Sequence, residues 1–174
     1  MKTRELNVGC GNNIRKGWVN IDIIPPYDKK VDLNKKPYPF KDNSFDYILL
    51  DNVLEHLEKP INCLEELHRI CSPKGGIEII VPFYNSPNAF RDITHKIFFN
   101  LDSLNDFDIN VKDRERRYTI SKKRFIIEKK LNPSVIGKII PKPLLNIFAL
   151  SMGNLVDTIT FKLRPVKDEN SITK

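Results

Sequence analysis

At 174 residues the chain holds about one domain's worth of sequence, and its 40% hydrophobic and 29% charged residues match an ordinary globular domain. Those proportions exclude collagen-like, disulfide-framework and wholly disordered classes, and a chain this long buries roughly two-thirds of its unfolded surface, enough for a core and a cleft. The net charge of +7 permits an anionic partner, and most of it lies between Lys112 and Lys130, where nine Lys or Arg stand against three Asp or Glu. One domain over residues 1–166 with a polar tail at 167–174 is the expected organisation. The three cysteines, Cys10, Cys63 and Cys71, form neither a CxxC pair nor an even disulfide set, which predicts a reducing, cytoplasmic compartment with Cys63 and Cys71 as small buried thiols. No signal peptide is expected ahead of the first strand, and no apolar run reaches the roughly 20 residues of a membrane span.

In chain order, Glu5 to Gly9 reads as a short strand entering the glycine turn Gly9-Cys10-Gly11-Asn12-Asn13. Trp18 to Ile23 reads as a second strand, stopped by Pro25-Pro26. The link between them is too short for the crossover helix of a standard βαβ unit, which takes at least ten to twelve residues. Val31-Asp32-Leu33 is a brief extended piece. Phe45 to Leu50 is a strong strand, after which Asp51 or Asn52 can cap a short helix over Val53–Leu57. A second helix starts at Pro60, with Ile61, Leu64, Leu67, Ile70 and Cys71 at helical spacing and Glu65, Glu66 and Arg69 left to water. Pro73-Lys74-Gly75-Gly76 ends it, and Ile77–Val81 reads as a buried parallel strand. Residues 83–100 read as a loop, Leu101–Phe107 as a short helix, and 111–131 as two basic strands. An apolar helix over Ile139–Met152 and a last strand over Thr158–Leu163 complete an α/β chain with a mainly parallel sheet.

The chemistry starts at the glycine turn. Glycines straight after a first strand let the backbone approach a ligand closely, and an acidic residue ending the next strand, here Asp22, can accept hydrogen bonds from a ribose diol. A nicotinamide-dinucleotide fingerprint does not fit. Ile14 occupies the place of its third glycine, and Asp22 follows Gly9 by 13 residues where roughly 20 are usual.

The order of the pieces is more specific than any one of them. Leu6-Asn7-Val8-Gly9-Cys10-Gly11, Trp18-Val19-Asn20-Ile21-Asp22 and Val31-Asp32-Leu33 lead to Pro39-Phe40-Lys41-Asp42-Asn43-Ser44-Phe45-Asp46-Tyr47-Ile48. Val53-Leu54-Glu55-His56-Leu57 and Leu67-His68-Arg69-Ile70-Cys71-Ser72-Pro73-Lys74-Gly75-Gly76 follow. Over residues 5–100 this series resembles the class I S-adenosylmethionine-dependent methyltransferases, in particular the small type-11-like group. The resemblance implies a Rossmann-like three-layer sandwich of six to seven strands, mainly parallel with the last strand antiparallel. The helix between the first two strands is shortened or missing, and Asn13 stands where the turn usually has a third glycine.

The resemblance also implies a set of S-adenosylmethionine contacts: Gly9, Cys10 and Gly11 toward the methionine end, Asp22 and Ile23 at the ribose, Asp32 and Leu33 beside the adenine, and Asp51 and Asn52 near the sulfonium. It places Arg91 to Phe99 on the acceptor side, where His95, oriented by Asp92, is the candidate general base for a hydroxyl acceptor. His56 and His68 read as surface or hydrogen-bonded histidines on helices, and no metal-ligand set is read from the sequence. The implied activity is methyl transfer to a small-molecule acceptor, on oxygen in the first instance. An RNA methyltransferase using the basic 112–130 segment and a catalytically silent donor-binding protein are the alternatives. Monomer and homodimer both stay open.

Overall fold

A computed structural model describes residues 4–108, 110, 121 and 123–167. Seven strands form a single sheet: β1 (Glu5–Val8), β2 (Val19–Asp22), β3 (Lys29–Lys30), β4 (Phe45–Asp51), β5 (Cys71–Pro82), β6 (Arg124–Pro133) and β7 (Val156–Val166). Their spatial order is β3-β2-β1-β4-β5-β7-β6. The first five run parallel, and β7 inserts antiparallel between β5 and β6. The mainly parallel sheet with an antiparallel last strand is therefore as expected.

The centre of the sheet is apolar because its strands are covered on both faces. Leu6, Val8, Ile48, Leu50, Ile79 and Val81 are fully buried, each contributing roughly 1.5–3 kcal/mol relative to exposure. Helix α1 (Pro60–Ile70) begins with proline in its first turn and makes the crossover from β4 to β5, burying Cys63, Leu64, Leu67 and Ile70. Glu66, expected at the surface, is buried as well. It accepts the Tyr38 amide at 2.6 Å and pairs with the Arg69 guanidinium at 2.6 Å, while Arg69 also reaches the carbonyls of Tyr38 and Phe40. A buried Tyr38 needs polar partners beneath the helix, and these two side chains supply them.

Four other expectations shift. The third strand is Lys29–Lys30, just before the extended piece at Val31–Leu33. Strand β5 starts at Cys71, so Pro73 to Gly76 falls within a strand, at a register irregularity opposite Phe45–Tyr47. Residues Pro87–Arg91, read as loop, form the short helix α2, capped by the Ser86 hydroxyl. The apolar helix contracts to α3 (Lys142–Phe148), which buries Leu145 and leaves Leu144 and Ile147 exposed. Of the two basic strands, β6 is present, and the stretch before it lies outside the described residues apart from Ser121 and Lys123.

No helix joins β1 to β2. Two buried asparagines hold the connection instead. Asn7 Nδ2 donates to the Asn13 carbonyl at 2.8 Å and to Asn20 Oδ1 at 3.0 Å. Asn20 Oδ1 also accepts the Arg15 amide at 2.8 Å, and Asn20 Nδ2 donates to the Arg15 carbonyl and to Asp28. These bonds satisfy backbone groups that a crossover helix would have satisfied internally.

Candidate active site

The strand order reverses between β1 and β4, and at such a switch point the loops leaving the carboxyl ends of the strands part to form a crevice. Here the crevice is a cleft of about 260 Å³ lined by residues that include Gly9, Asp22, Ile23, Asp32, Leu33, Asn52 and His56. Gly9 lies at φ +65°, and an added Cβ would stand 2.5 Å from a Val53 methyl, so only glycine lets the two turns meet this closely. On the β4 side Asn52 occupies the left-handed region at φ 54°, a conformation that asparagine tolerates better than most residues.

Asp22 organises the β2 edge. One carboxylate oxygen accepts the amides of Ile23 and Ile24 at 2.7 and 3.0 Å, and the other accepts the Gly11 amide at 2.9 Å. Three of about four acceptor sites are thus used, leaving roughly one toward the cleft. Asp32 accepts the Asn34 amide at 3.0 Å and pairs with Lys35 at 3.2 Å. Those partners hold its carboxyl below the ordinary aspartate value. Val31 and Leu33 give the same end of the cleft an apolar wall.

The sequence-named residues do not all line the cleft. Cys10 is buried with its Sγ 3.4 Å from the Pro26 carbonyl, and burial pushes its thiol pKa up. Gly11 reaches the site through its amide on Asp22. Asp51 accepts Asn52 Nδ2 at 2.9 Å. Neither Asp51 nor Asn52 caps the following 3-10 turn, Leu54–His56, whose first residue is preceded by Val53 with no side-chain cap.

Beside the cleft, that turn meets the 92–97 loop. Amides of Lys96 and Ile97 donate to the Glu55 carbonyl at 2.8 and 3.3 Å, fixing the loop against the turn. Glu55 is 1% exposed, and neither of its carboxylate oxygens has a hydrogen-bond partner. Burial pushes its carboxyl pKa up to about 7. The rings of His56 and His95 pack edge to face with centroids 4.7 Å apart. His95 Nδ1 lies 2.8 Å from the Ala89 carbonyl, so Nδ1 carries the proton and Nε2 the lone pair. The Thr94 hydroxyl donates to Asp92 at 2.7 Å, which makes it the acceptor from His56 Nδ1 at 2.9 Å. Asp92 therefore acts on His56 through Thr94, and the orienting group of His95 is a backbone carbonyl.

Residues 26–79 match the family model of the methyltransferase domain. An uncharacterized protein of Methanocaldococcus jannaschii is 37% identical over an alignment of 121 residues that covers 60% of this chain and 52% of that protein. The chain thus spans about half the length of this curated relative. Among solved structures, a SAM-dependent methyltransferase from Archaeoglobus fulgidus superposes with a TM-score of 0.63 at 14% identity, covering 93% of this chain and 86% of that one. The chain is thus similar to methyltransferase domains over residues 26–79 and shares the fold of the Archaeoglobus fulgidus enzyme. The same fold recurs in a chain of the Haloferax volcanii complex containing the Trm112 methyltransferase activator, with a TM-score of 0.61 at 16% identity over 95% of this chain and 83% of that one. It recurs again in the YcgJ protein of Bacillus subtilis, with a TM-score of 0.57 at 11% identity over 96% and 93% of the two chains.

The chemistry of the cleft suits the donor of such a methyltransferase domain. Acidic side chains at two strand edges match a ribose and an exocyclic amine, the apolar wall matches a purine face, and among the described residues no Lys or Arg lines the cleft to repel a sulfonium. Sequence reasoning did not foresee Glu55 in the site. The signal available was its place in Leu54-Glu55-His56 directly after β4, which was read only as part of a resemblance.

Proposed function

We propose that the chain is a methyltransferase that binds S-adenosylmethionine in the β1–β4 cleft and methylates a small-molecule acceptor on oxygen. The observation that carries this reading is the convergence of Gly9, Asp22, Asp32, Leu33 and Asn52, distant in sequence, on one cleft at the switch point. When bound, the donor supplies an electrophilic methyl group that leaves sulfur by in-line displacement. The protein's task is then to hold donor and acceptor in line. In this reading Asp22 takes a ribose hydroxyl with its remaining acceptor site, Asp32 and Leu33 flank the adenine, and the Gly9 turn lets the amino-acid end approach the backbone.

The acceptor enters beside His56, where the 92–97 loop presents His95. A hydroxyl becomes a competent nucleophile once its O–H bond is polarised, and the Nε2 lone pair of His95 is the group on this side through which that occurs. Asp92 contributes one step back, by way of Thr94 and His56. A small acceptor is favoured over RNA because two of the described cations of the basic segment, Arg124 and Lys129, are engaged within the chain. Arg124 donates to the Asp106 and Ser121 carbonyls, and Lys129 donates to Asn105 at 2.6 Å. One domain over residues 1–166 in a reducing, cytoplasmic setting accords with three buried free cysteines. Among the described residues no helix is long and apolar enough to cross a membrane.

Calorimetry with S-adenosylhomocysteine tests the donor half. A single site that Asp22→Ala abolishes is the expected result, and no heat at millimolar ligand refutes it. Release of S-adenosylhomocysteine on mixing with pools of hydroxylated metabolites tests the acceptor half. Turnover confined to RNA would replace the small-molecule reading, and donor binding without turnover on any pool would make the protein a silent binder.

A further inference from the structure

Beside the donor cleft, Glu55, His56 and His95 each offer one ligand atom, and these atoms lie within 4.8 Å of one another. We propose that this trio binds a divalent transition cation of the zinc or manganese kind, placed to polarise the acceptor oxygen; His95 Nε2 then holds the ion in place of acting on the hydroxyl itself, and the hydroxyl proton passes to solvent water.

Four observations support it. First, Glu55 is a carboxylate buried with both oxygens unpaired. A buried charge is ordinarily paired or coordinates a metal, because leaving it alone in a low-dielectric site is costly.

Second, both histidines are set up as ligands. Each has its Nδ1 committed as a donor, His95 to the Ala89 carbonyl and His56 to the Thr94 hydroxyl, which in turn donates to Asp92. Metal-bound histidine commonly carries its second ring nitrogen in this way, on a carbonyl or by a relay to a carboxylate, which fixes the tautomer and leaves Nε2 free. Two histidines prepared alike, next to an unpaired carboxylate, are more than a chance meeting of polar groups.

Third, the arrangement is held by backbone. The Lys96 and Ile97 amides bind the Glu55 carbonyl, so the loop that carries His95 is tied to the turn that carries the other two. Bonds of about 2.0 Å to a tetrahedral ion put its ligands about 3.3 Å apart, so side-chain rotations of about an ångström close the set.

Fourth, the donor types select the ion. Two imidazoles and one carboxylate suit zinc, manganese, iron or cobalt, whereas magnesium and calcium prefer all-oxygen shells. Three protein ligands leave a coordination position open, as in catalytic rather than structural sites. His56 also lines the donor cleft, so the open position faces the side from which a methyl group would be taken. This assignment rests on the methyltransferase reading for its purpose, though the site itself can be tested without it.

Tag-free protein is stripped with a chelator and titrated with Zn²⁺, Mn²⁺ and Co²⁺, followed by calorimetry, thermal melting and the visible absorption of Co²⁺. One equivalent of cation is expected, with a raised melting temperature and Co²⁺ bands of a low-coordinate nitrogen and oxygen site. Glu55→Gln and His95→Gln are each expected to weaken binding at least 100-fold. Thr94→Val, which leaves all three ligands in place, is expected to weaken it about 10-fold. Glu58→Gln, on the same surface, leaves it unchanged. Glutamine at position 55 removes a charge without changing side-chain size, and circular dichroism verifies its folding.

The inference is overturned if none of the three cations binds stoichiometrically, or if binding survives both ligand substitutions. It is also overturned if chelator-stripped enzyme turns over at full rate, in which case His95 withdraws the proton directly. S-adenosylhomocysteine binding is measured on the same stripped sample. Donor binding without cation binding defeats only the metal site, and cation binding without donor binding defeats only the proposed function.

Discussion

The closest contact in the site gives its sharpest test. Gly9→Ala faces two separate costs. A non-glycine residue at φ +65° pays roughly 1–2 kcal/mol for the left-handed backbone. The new methyl would also stand 2.5 and 2.7 Å from the two Val53 methyls, an overpacking worth roughly 1–3 kcal/mol. Together these predict a loss of about 2–5 kcal/mol, or roughly 4–20 °C in melting temperature for a chain of this size. Val53→Ala alone removes two methyls at about 0.8 kcal/mol each. In the double variant the backbone cost remains and most of the overpacking disappears, leaving the Val53 Cβ contact at 3.2 Å. Urea denaturation of all four proteins should therefore place the double variant about 1–3 kcal/mol above the sum of the singles. Additivity within about 0.5 kcal/mol would show that the two turns are not in steric contact and would refute the account of why residue 9 is glycine.

Three further outcomes follow from the same coordinates. Asp22→Asn should weaken S-adenosylhomocysteine binding about 10- to 100-fold in calorimetry, the worth of one charge-assisted hydrogen bond, and an unchanged Kd would remove Asp22 from the site. Asn20→Leu leaves Arg15 and Asn7 without their partner beneath the β1–β2 connection, and urea titration should show a loss of about 2–4 kcal/mol; a loss below about 1 kcal/mol would mean that the connection does not depend on it. His68 is 4% exposed, with Nε2 3.1 Å from the Val166 carbonyl, and burial, ahead of the charge on Lys167, pushes its imidazole pKa down to about 4. The unfolded chain, titrating near 6.5, binds more protons between those values, so this contribution is intact above pH 6.5 and falls as pH drops toward 4, by at most about 3 kcal/mol. Glu55 opposes it over part of that range, so the quantity to measure is wild type minus His68→Gln across the window, and a flat difference would refute it.

The fold was legible where period and punctuation agree. Phe45–Leu50 and Ile77–Val81 are continuous apolar runs bounded by turn residues, and both became central strands. The short span from Gly11 to Trp18 correctly predicted that no crossover helix fits. What replaces that helix could not be read, because Asn7 and Asn20 look like ordinary polar strand residues until the register Asn7↔Asn20 sets them side by side. Glu66 was missed for a similar reason. Helical spacing puts it near water, and only the long-range arrival of Tyr38 buries it. That Gly9, Asp22, Ile23, Asp32, Leu33 and Asn52 share one cleft was legible because these residues sit at or just beyond strand ends, where order along the chain fixes position in the cleft. The meeting of His56 with His95 was not, since they are 39 positions apart and join only when the 92–97 loop folds back onto the Glu55 carbonyl.

That last join links the two halves of the site. One turn, Asn52 to Leu57, gives Asn52, Val53, His56 and Leu57 to the donor cleft and Glu55 and His56 to the cluster beside it. Its start is set by Val53 packing into the space that Gly9 leaves open, and its end by the loop amides on Glu55. A ligand that seats firmly against one side therefore restrains the other, and linkage requires the restraint to be mutual. If the cluster binds its cation as proposed, donor and cation should each tighten the other's binding by the same factor. If instead the turn is rigid before either arrives, that factor is one. The Gly9→Ala variant separates these cases, because displacing Val53 disturbs the cluster only if the turn moves as a unit. Its Co²⁺ spectrum would then change although no ligand had been touched.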